Sequence, residues 1–323
     1  MNWCCSILFS AVAIAISVAP ITTVQAQTWP EKPVRIVLPY APGGATDAIG
    51  RPWAEKLSHA FGQQFVIENR GGASGMIGVE AVVKSPPDGY TYLLTPNSAI
   101  AIVPSLRKAP YDATQDLMPV ARVGDIVGGF VVHPSVGVKT MKELIEYAKK
   151  NPGKLSYGSA GLATSTHLRL EMLKLRAGIN ILHVPYRGSA DALNDLLPGN
   201  VHMMNEIVVY PHVKAGKLIL LAINHPKRNP DFPDVPTLTE AGVENADVPI
   251  WFALFAPLGT PQDIIARLNA KMVEIARTDD MKTKMRAISV SLPTQTPEEL
   301  GRHLLDDIKA NLEVIKAANI KID

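Results

Sequence analysis

Residues 34–47 limit the folds open to this chain more than any other stretch. The apolar, β-branched run at residues 34–38 is typical of a buried strand. Pro42-Gly43-Gly44 cannot continue that strand and predicts a tight turn, after which Thr46 or Asp47 has the chemistry of a helix N-cap. A helix that starts in this way presents unpaired backbone N–H groups, which bind anions. The alternative is that the glycines only close the turn.

The same arrangement recurs in the second half of the chain. Residues 154–158 predict a strand, residues 159–165 predict a small and polar turn, and a helix is expected to begin near Thr166. Strands and helices alternate throughout, which favours an α/β fold with parallel sheets covered by helices on both faces. Asn97 and Ser98 follow another predicted strand, at the end where open α/β sheets present ligand sites.

The first 26 residues predict export from the cytoplasm. The apolar run at residues 7–19 is shorter than the ~20 residues that a spanning helix needs. Val24-Gln25-Ala26 places small residues before a cleavage site, so a signal peptide over residues 1–26 and a mature chain from Gln27 are expected. Cys4 and Cys5 lie in this segment, so the mature chain is expected to have no disulfide, thiol nucleophile or cysteine metal site.

Charge and histidine spacing exclude two further classes of function. The formal net charge is +2, and no basic tract suggests a nucleic-acid partner. His183 and His202 could approach on neighbouring strands, but no histidine or carboxylate cluster has the spacing of metal ligands. We therefore expect no nucleic acid, no metal and no other cofactor.

Six motifs, in this order along the chain, resemble those of the periplasmic solute-binding proteins of tripartite tricarboxylate transporters, often called Bug proteins. The motifs are PYAPGGATD at 39–47, ENRGGASG at 68–75, PDGYT at 87–91, YGSAG at 157–161, HVPYRG at 183–188 and PHVKAGKL at 211–218. The resemblance runs from about residue 29 to the C-terminus. It implies a two-lobed α/β binding protein of periplasmic type II, in which each lobe is a mainly parallel sheet flanked by helices.

The resemblance also implies a function. Members of the family hold a small carboxylate-bearing solute in the cleft between the lobes and deliver it to a membrane permease, and the solute is a dicarboxylate or tricarboxylate, an aromatic acid or an amino acid. The order of the elements suggests that residues 27–129 and 250–323 form lobe 1 and residues 130–249 form lobe 2. We expect a periplasmic monomer that is not an enzyme.

The expected ligand-binding residues lie on the two glycine-rich loops and on strand ends near them. They are Tyr40, Ala41, Gly43, Gly44, Thr46, Asp47, Asn97, Ser159, Ala160, Gly161, Thr164, Ser165, Tyr186, Asn205 and Glu206. Neither loop carries Lys or Arg, so backbone N–H groups and hydroxyls are expected to hold the carboxylate. Asp47 is expected to cap its helix and orient the first loop, and Ser159 to offer its hydroxyl from an exposed turn.

Asn205-Glu206 departs from the family pattern, which usually has an apolar or aromatic residue followed by Asp at this position. Glu206 could bind an amine or hydroxyl of the solute, or pair with Arg187, and both options are open. Arg187 stands where Lys is common. Its planar guanidinium could bind a second carboxylate, or the residue could be a surface or hinge arginine.

Two rival classes use the same residues. In an exported hydrolase, Ser159 would be the nucleophile because it follows a strand and precedes a helix. The Gly-x-Ser-x-Gly pattern of such a nucleophile is not met, since Tyr157 occupies the first glycine position. A phosphate-type anion-binding protein is the other rival, because helix N-termini bind phosphate as well as carboxylate.

Overall fold

The structure is a computed structural model that describes Met1 and residues 29–244, 246, 248–317 and 320. The predicted cleavage site after Ala26, both cysteines and all of the predicted signal peptide except Met1 lie outside the described residues. Across the described ranges, every helix is too short or too polar to cross a membrane.

Strands and helices alternate along most of the described chain. In chain order the strands are β1 (Val34–Leu38), β2 (Phe65–Asn69), β3 (Thr91–Pro96), β4 (Leu117–Ile126), β5 (Gly128–Val132), β6 (Ser156–Ser159), β7 (Leu182–Pro185), β8 (Met203–Glu206), β9 (Ile219–Asn224), β10 (Trp251–Pro257) and β11 (Val290–Ser291). The helices are α1 (Ala45–Phe61), α2 (Met76–Val83), α3 (Val103–Leu106), α4 (Ala113–Asp116), α5 (Met141–Lys150), α6 (Ser165–Ala177), α7 (Ser189–Leu196), α8 (Tyr210–Lys214), α9 (Gln262–Arg277), α10 (Asp279–Ala287) and α11 (Pro297–Ala317). Short 3-10 turns lie at Ala73–Gly75 and Pro134–Val136, and a π-helical turn lies at Ser98–Ile102.

The strands form two sheets, as a two-lobed fold requires. The first sheet has the order β11-β4-β10-β3-β1-β2, and the second has the order β7-β6-β8-β5-β9. The chain changes sheet between Ile126 and Gly128, and it returns between β9 and β10. The predicted two-lobed α/β fold is confirmed by this architecture and by the structural relatives described below.

The predicted sheets differ from the observed ones in one respect, because both sheets are mixed rather than mainly parallel. Strand β1 pairs in parallel with β2 and β3, but β10 is antiparallel to β3 and β4. In the second sheet β6 is parallel to β7 and β8, whereas β5 is antiparallel to β8 and β9. Strands β5 and β10 are the first strands along the chain after it has passed from one sheet to the other. They start at the edge where the parallel strands end, so they run in the opposite direction.

Helices cover both faces of the first sheet, which explains why β1 is apolar along its whole length. Ile36 and Leu38 belong to a core shared with Ile49, Trp53 and Leu57 of α1. Alternate strand residues face the other core, where Val37 and Leu93 meet Val79 and Val82 of α2 and Leu300 and Leu304 of α11. Successive side chains of a strand point to opposite faces, so a strand buried on both faces loses the alternation of an exposed one. This packing fixes the carboxyl end of β1 and the first loop at one edge of the sheet.

Candidate functional site

A cavity of about 370 Å³, including the part that opens to solvent, lies between the two sheets. The carboxyl ends of β3 and β8 and the first turns of three helices border it. The residues that line it are Tyr40, Gly44, Ala45, Thr46, Pro96, Ser98, Ala160, Thr164, Ser165, Thr166, Ser189, Glu206, Ile250 and Phe252. None of them is Lys, Arg or His, so a bound anion would meet dipoles and hydroxyls there.

The first loop presents the start of α1 to the cavity. The prediction that Thr46 or Asp47 caps this helix is wrong, because Gly44 is the N-cap. With no side chain at the cap, the backbone of the first turn is open to close approach. Among the described hydrogen bonds, none uses the N–H of Gly44, Ala45 or Thr46. These donors are therefore available to a ligand.

Asp47 lies behind the first loop and holds it in place. Its carboxylate accepts hydrogen bonds from the Gly43 N–H at 3.2 Å, from Arg51 Nε at 2.7 Å and from Asn69 Nδ2 at 3.2 Å. Burial by itself raises the pKa of the Asp47 carboxyl, but these bonds outweigh it and hold the pKa below its ordinary value. The charge of Asp47 is thus bonded within the loop and paired with Arg51.

The second loop bonds mostly to itself. The Ala160 N–H donates to Thr166 Oγ1 at 3.0 Å, and the Gly161 N–H donates to Ser159 Oγ at 3.2 Å. Thr164 is the N-cap of α6 and donates its own hydroxyl to the Gly161 carbonyl at 2.7 Å. No described hydrogen bond uses the backbone N–H of Ser165 or Thr166. The first turn of α6 is therefore what this loop offers to a ligand.

Ser159 and two histidines form a buried support beneath the second loop. Ser159 is fully buried rather than exposed, and its Oγ lies 2.6 Å from His183 Nε2. The His183 ring stacks between His167, with ring centroids 4.1 Å apart, and Tyr157, at 4.7 Å. Burial is the main cause that lowers the pKa of His167 to about 4 and that of His183 to about 3. Both rings are neutral near pH 7 and act as packing and hydrogen-bonding groups.

A third helix start, that of α7, completes the cavity, and sequence reasoning missed it. Ser189 is the first residue of α7 and follows the N-cap Gly188. A Cβ atom built on Gly44 would lie 3.7 Å from the Ser189 nitrogen and 3.8 Å from the Ala190 nitrogen, so α1 and α7 begin side by side across the cleft. Strand β7 followed by Arg187-Gly188-Ser189 has the same pattern as the first loop. That pattern could have identified Ser189.

Glu206 is the carboxyl group that lines the cavity. Its Oε1 accepts a hydrogen bond from Ser189 Oγ at 2.6 Å, and its Oε2 accepts one from the Ile207 N–H at 3.0 Å. Burial raises the pKa of the Glu206 carboxyl, although these hydrogen bonds and the nearby Arg169 oppose the change. The Arg187 side chain is exposed, and no described ion pair joins it to Glu206.

Asn97 connects the lobes behind the cavity. Its Nδ2 donates to Asp307 Oδ2 at 2.9 Å and to the Pro249 carbonyl at 3.2 Å, while its Oδ1 accepts from Ser165 Oγ at 3.0 Å. Asn97 is fully buried and does not line the cavity, so its side-chain amide serves contacts within the protein. The next residue, Ser98, lines the cavity and pairs with the Tyr40 hydroxyl at 3.2 Å.

The structure separates the predicted site residues into two groups. Those that line the cavity are Tyr40, Gly44, Thr46, Ala160, Thr164, Ser165 and Glu206. Those that lie outside its lining are Ala41, Gly43, Asp47, Asn97, Ser159, Gly161, Tyr186 and Asn205. Tyr186 donates its hydroxyl to Asp195 at 2.6 Å, and Asn205 accepts from Arg169 at 2.8 Å, so both are bonded within lobe 2.

Sequence reasoning left seven of the lining residues out of the expected ligand-binding set: Ala45, Pro96, Ser98, Thr166, Ser189, Ile250 and Phe252. Of these, it had placed Ser98 with Asn97 at a strand end that is suited to ligand binding. Ile250 and Phe252 form an apolar wall, and nothing in the sequence distinguishes them from ordinary core residues. Within the described part of the chain, no group of three or more His, Cys, Asp or Glu residues is placed to hold an ion.

A two-lobed α/β fold with three helix starts around an interlobe cavity defines a solute-binding protein of the periplasmic type. A family model described as "Tripartite tricarboxylate transporter family receptor" matches residues 49–320. The chain belongs to this family, which confirms the resemblance seen in the six motifs.

Relatives of known sequence or structure agree with this assignment. Protein BugT of Bordetella pertussis is 34% identical over 323 residues, which cover 98% of each chain. The structure of Rpa4515 of R. palustris with adipate has a TM-score of 0.88 and 35% identity, over 91% of this chain and 99% of that one. The structure of the periplasmic binding protein BugD has a TM-score of 0.87 and 33% identity, with the same coverage. This chain is therefore a solute-binding receptor by family and by fold.

Proposed function

We propose that this protein is a periplasmic receptor that captures a small carboxylate-bearing solute between its lobes and delivers it to the membrane permease of a tripartite transporter. One observation carries the proposal: the first turns of α1, α6 and α7 converge on a cavity whose lining has no cationic side chain. Hydrogen bonds to a charged group contribute roughly 1.5–3 kcal/mol each. A few of them could supply the ~8 kcal/mol of a micromolar complex after ordering costs.

The class of solute follows from that chemistry and from the relatives. Backbone N–H groups at helix starts bind a carboxylate without a countercharge from a side chain. The Rpa4515 structure, 35% identical to this chain, contains adipate, a dicarboxylate. Pro96, Ile250 and Phe252 provide an apolar wall against which the carbon skeleton of a solute can pack. A phosphate ion has no such skeleton, which favours an organic acid.

Binding rather than catalysis is the role that we propose for the second loop. In a hydrolase, Ser159 Oγ would have to reach a substrate, but Ser159 is fully buried and outside the cavity lining. Its Oγ lies within hydrogen-bond distance of both His183 Nε2 and the Gly161 carbonyl. The Ser–His contact therefore supports the loop, and the solute is expected to leave unchanged.

The lobes, their movement and the location of the protein belong to the same proposal. Residues 27–129 plus 250–323 would form lobe 1 and residues 130–249 lobe 2, although the start of β5 at Gly128 favours a boundary slightly earlier. The two chain crossings would act as a hinge that closes around the solute. Export by the predicted signal peptide would place the protein in the periplasm. We also propose that it is a monomer there.

A thermal-unfolding screen of the mature protein tests the proposed function. The panel contains dicarboxylates, tricarboxylates, aromatic acids, amino acids and inorganic phosphate. A solute at ~100 times its dissociation constant should add ~2.7 kcal/mol to the free energy of unfolding. Stabilisation by phosphate and by none of the organic acids would support the phosphate-type rival. Hydrolysis of an ester panel that Ser159→Ala abolishes would support the hydrolase.

A further inference from the structure

The cavity contains one acidic side chain together with several hydrogen-bond donors. This combination determines which charged groups a solute can place in the cavity. Among the described lining residues, Glu206 is the only one with a carboxyl group, and none carries a positive charge. Tyr40 is neutral, since burial raises its pKa to about 12. The N–H groups of Ala45 and Thr46 in α1 and of Ser165 and Thr166 in α6, together with the Thr46 hydroxyl, have no partner among the described hydrogen bonds. Thr46 is only 5% exposed, so this hydroxyl faces little except the cavity.

The Glu206 carboxyl is held in a fixed position but is not saturated. Ser189 and Ile207 each donate one hydrogen bond, one to each carboxyl oxygen. An ionised carboxylate has about four acceptor positions, so two remain for another donor. Ser189 belongs to the first turn of α7, which places the carboxyl next to the helix starts that receive the anion.

Arg169 is the basic residue whose charge acts on Glu206, and its described hydrogen bonds go to other groups. Arg169 is almost fully buried and lowers the pKa of Glu206 through its charge, but it does not line the cavity. Its Nη1 donates to Asn205 Oδ1 at 2.8 Å and its Nε donates to the Val248 carbonyl at 2.7 Å. The side of Glu206 that faces the cavity therefore meets no basic side chain of the lining.

We propose that Glu206 binds a protonated amine of the solute, so that the solute is a carboxylate that also carries an ammonium group. This inference rests on the proposed function. A solute of this kind places its carboxylate on the helix starts and its ammonium on Glu206, and the buried charges then pair. A dicarboxylate would instead bring a second negative charge into a buried cavity that already holds an acid and has no cationic side chain in its lining. Glu206 thus determines specificity.

Matched sets of ligands test the inference by calorimetry. Each set shares one carbon skeleton and differs at one end: γ-aminobutyrate, glutarate and valerate, or δ-aminovalerate, adipate and hexanoate. Norvaline and valerate extend the comparison to an amine beside the carboxylate. The wild-type protein should bind at least one amine about 10-fold or more tighter than its dicarboxylate and alkyl partners. A change of that size corresponds to roughly 1.4 kcal/mol.

Two substitutions separate charge from shape. Glu206→Gln removes the charge and keeps one oxygen that can accept from Ser189 or Ile207, and it should abolish the ratio of amine to alkyl-acid affinity, whatever the variant does to binding of both ligands together. Glu206→Asp keeps the charge and should retain part of the preference. Thermal unfolding without ligand checks that both variants fold. An amine preference that survives Glu206→Gln would overturn the inference.

The proton balance gives an independent reading, because it reports the ionisation of Glu206 itself. Titrations in two buffers of different ionisation enthalpy measure protons exchanged on binding; burial raises the pKa of the free carboxyl and an ammonium would lower it again, so any proton exchanged when the amine binds should be released rather than taken up. Tighter binding of dicarboxylates with proton uptake would overturn the inference and leave the proposed function intact, with Glu206 acting as a neutral acid. If no carboxylate in the panel binds, both fail.

Discussion

The two loops that face each other across the cleft have the same strand–turn–helix pattern but hold their shape in opposite ways. The first loop leaves its backbone donors open and is tied down from behind by one ion pair, Asp47 with Arg51. The second loop uses its own hydroxyls to satisfy its backbone and rests on the stacked rings of His167 and His183. The comparison predicts that the backbone of the first loop contributes more to ligand affinity, whereas the second loop presents the first turn of α6 from a more rigid support.

The largest expected effect comes from closing the open face of the first loop. Gly44→Val adds a branched side chain where α1 and α7 begin side by side, with its Cβ at ordinary contact distances. The backbone φ of Gly44 is −86°, which suits any residue, so folding should survive. The new methyl groups would cover the N–H donors, and we expect affinity for a carboxylate ligand to fall by about 100-fold, roughly 2.7 kcal/mol.

Calorimetry measures that loss, and Gly301→Val is the matched control. A Cβ at Gly301 would also meet only an ordinary contact, with Pro119 at 3.6 Å, but it lies on α11 away from the cavity. Equal affinities of Gly44→Val and the control would show that the backbone of the first loop does not hold the anion.

The second loop should be the part of the site that is sensitive to mild acid. Unfolded histidines titrate near pH 6.5, whereas burial lowers the pKa of His167 to about 4 and of His183 to about 3. Between about pH 6.5 and 4 the unfolded chain therefore binds more protons than the folded one. The free energy of unfolding falls as the pH falls through that window, by up to about 1.4 kcal/mol per pH unit for each histidine.

Denaturant unfolding over a pH series measures this slope. His183→Gln keeps a hydrogen-bonding partner for Ser159 but no longer titrates, so the slope between pH 6.5 and 4 should decrease. His59→Gln, at an exposed position on α1, is the control and should keep the wild-type slope. If His183→Gln leaves the slope unchanged, His183 is not a cause of the acid sensitivity.

Removing the carboxylate behind the first loop should have a moderate effect on affinity. Asp47→Ala loses the bonds to Gly43, Arg51 and Asn69, and we expect about 1–2 kcal/mol weaker ligand binding together with lower stability. Asp47→Asn keeps an acceptor for Gly43 and should bind almost normally. The pKa of Asp47 is lowered, so its stabilising contribution is present above the unfolded value of roughly 4 and is lost below it.

Calorimetry and denaturant unfolding of both variants check this prediction. The acid window of the first loop would lie below that of the second, which separates the two loops in one pH series. Much tighter carboxylate binding by Asp47→Asn would mean that the charge of Asp47 repels the ligand, and the positioning role would then be wrong.

The sequence predicted three cavity-lining residues on each loop, and its errors on the two loops have different physical reasons. Glycine beside a predicted helix start indicates open backbone, and Gly44 and Thr46 do line the cavity. Ser159 was expected on an exposed turn because its burial depends on His183, which is 24 residues away along the chain and approaches only through the pairing of β6 with β7. Local pattern predicted the alternation of strands and helices, and the family resemblance predicted the two-lobed architecture. It could not give the antiparallel strands, which follow from where the chain changes sheet.

The smallest expected effect comes from a hydrogen bond that joins the second loop to the opposite lobe. Ser165 Oγ donates to Asn97 Oδ1 at 3.0 Å, and Asn97 is held in turn by Asp307 and the Pro249 carbonyl. Ser165→Ala leaves the N–H groups of α6 in place and removes only this contact between the lobes. We expect ligand affinity to fall by about 5-fold, roughly 1 kcal/mol, because the contact stabilises the closed form.

Ser105→Ala is the control, since its hydroxyl bonds only to the Ala101 carbonyl within one helical segment. Small-angle scattering with saturating ligand should show a larger open fraction for Ser165→Ala than for the control. If the two variants bind equally well, Asn97 organises lobe 1 alone, and the second loop contributes to closure only through its backbone.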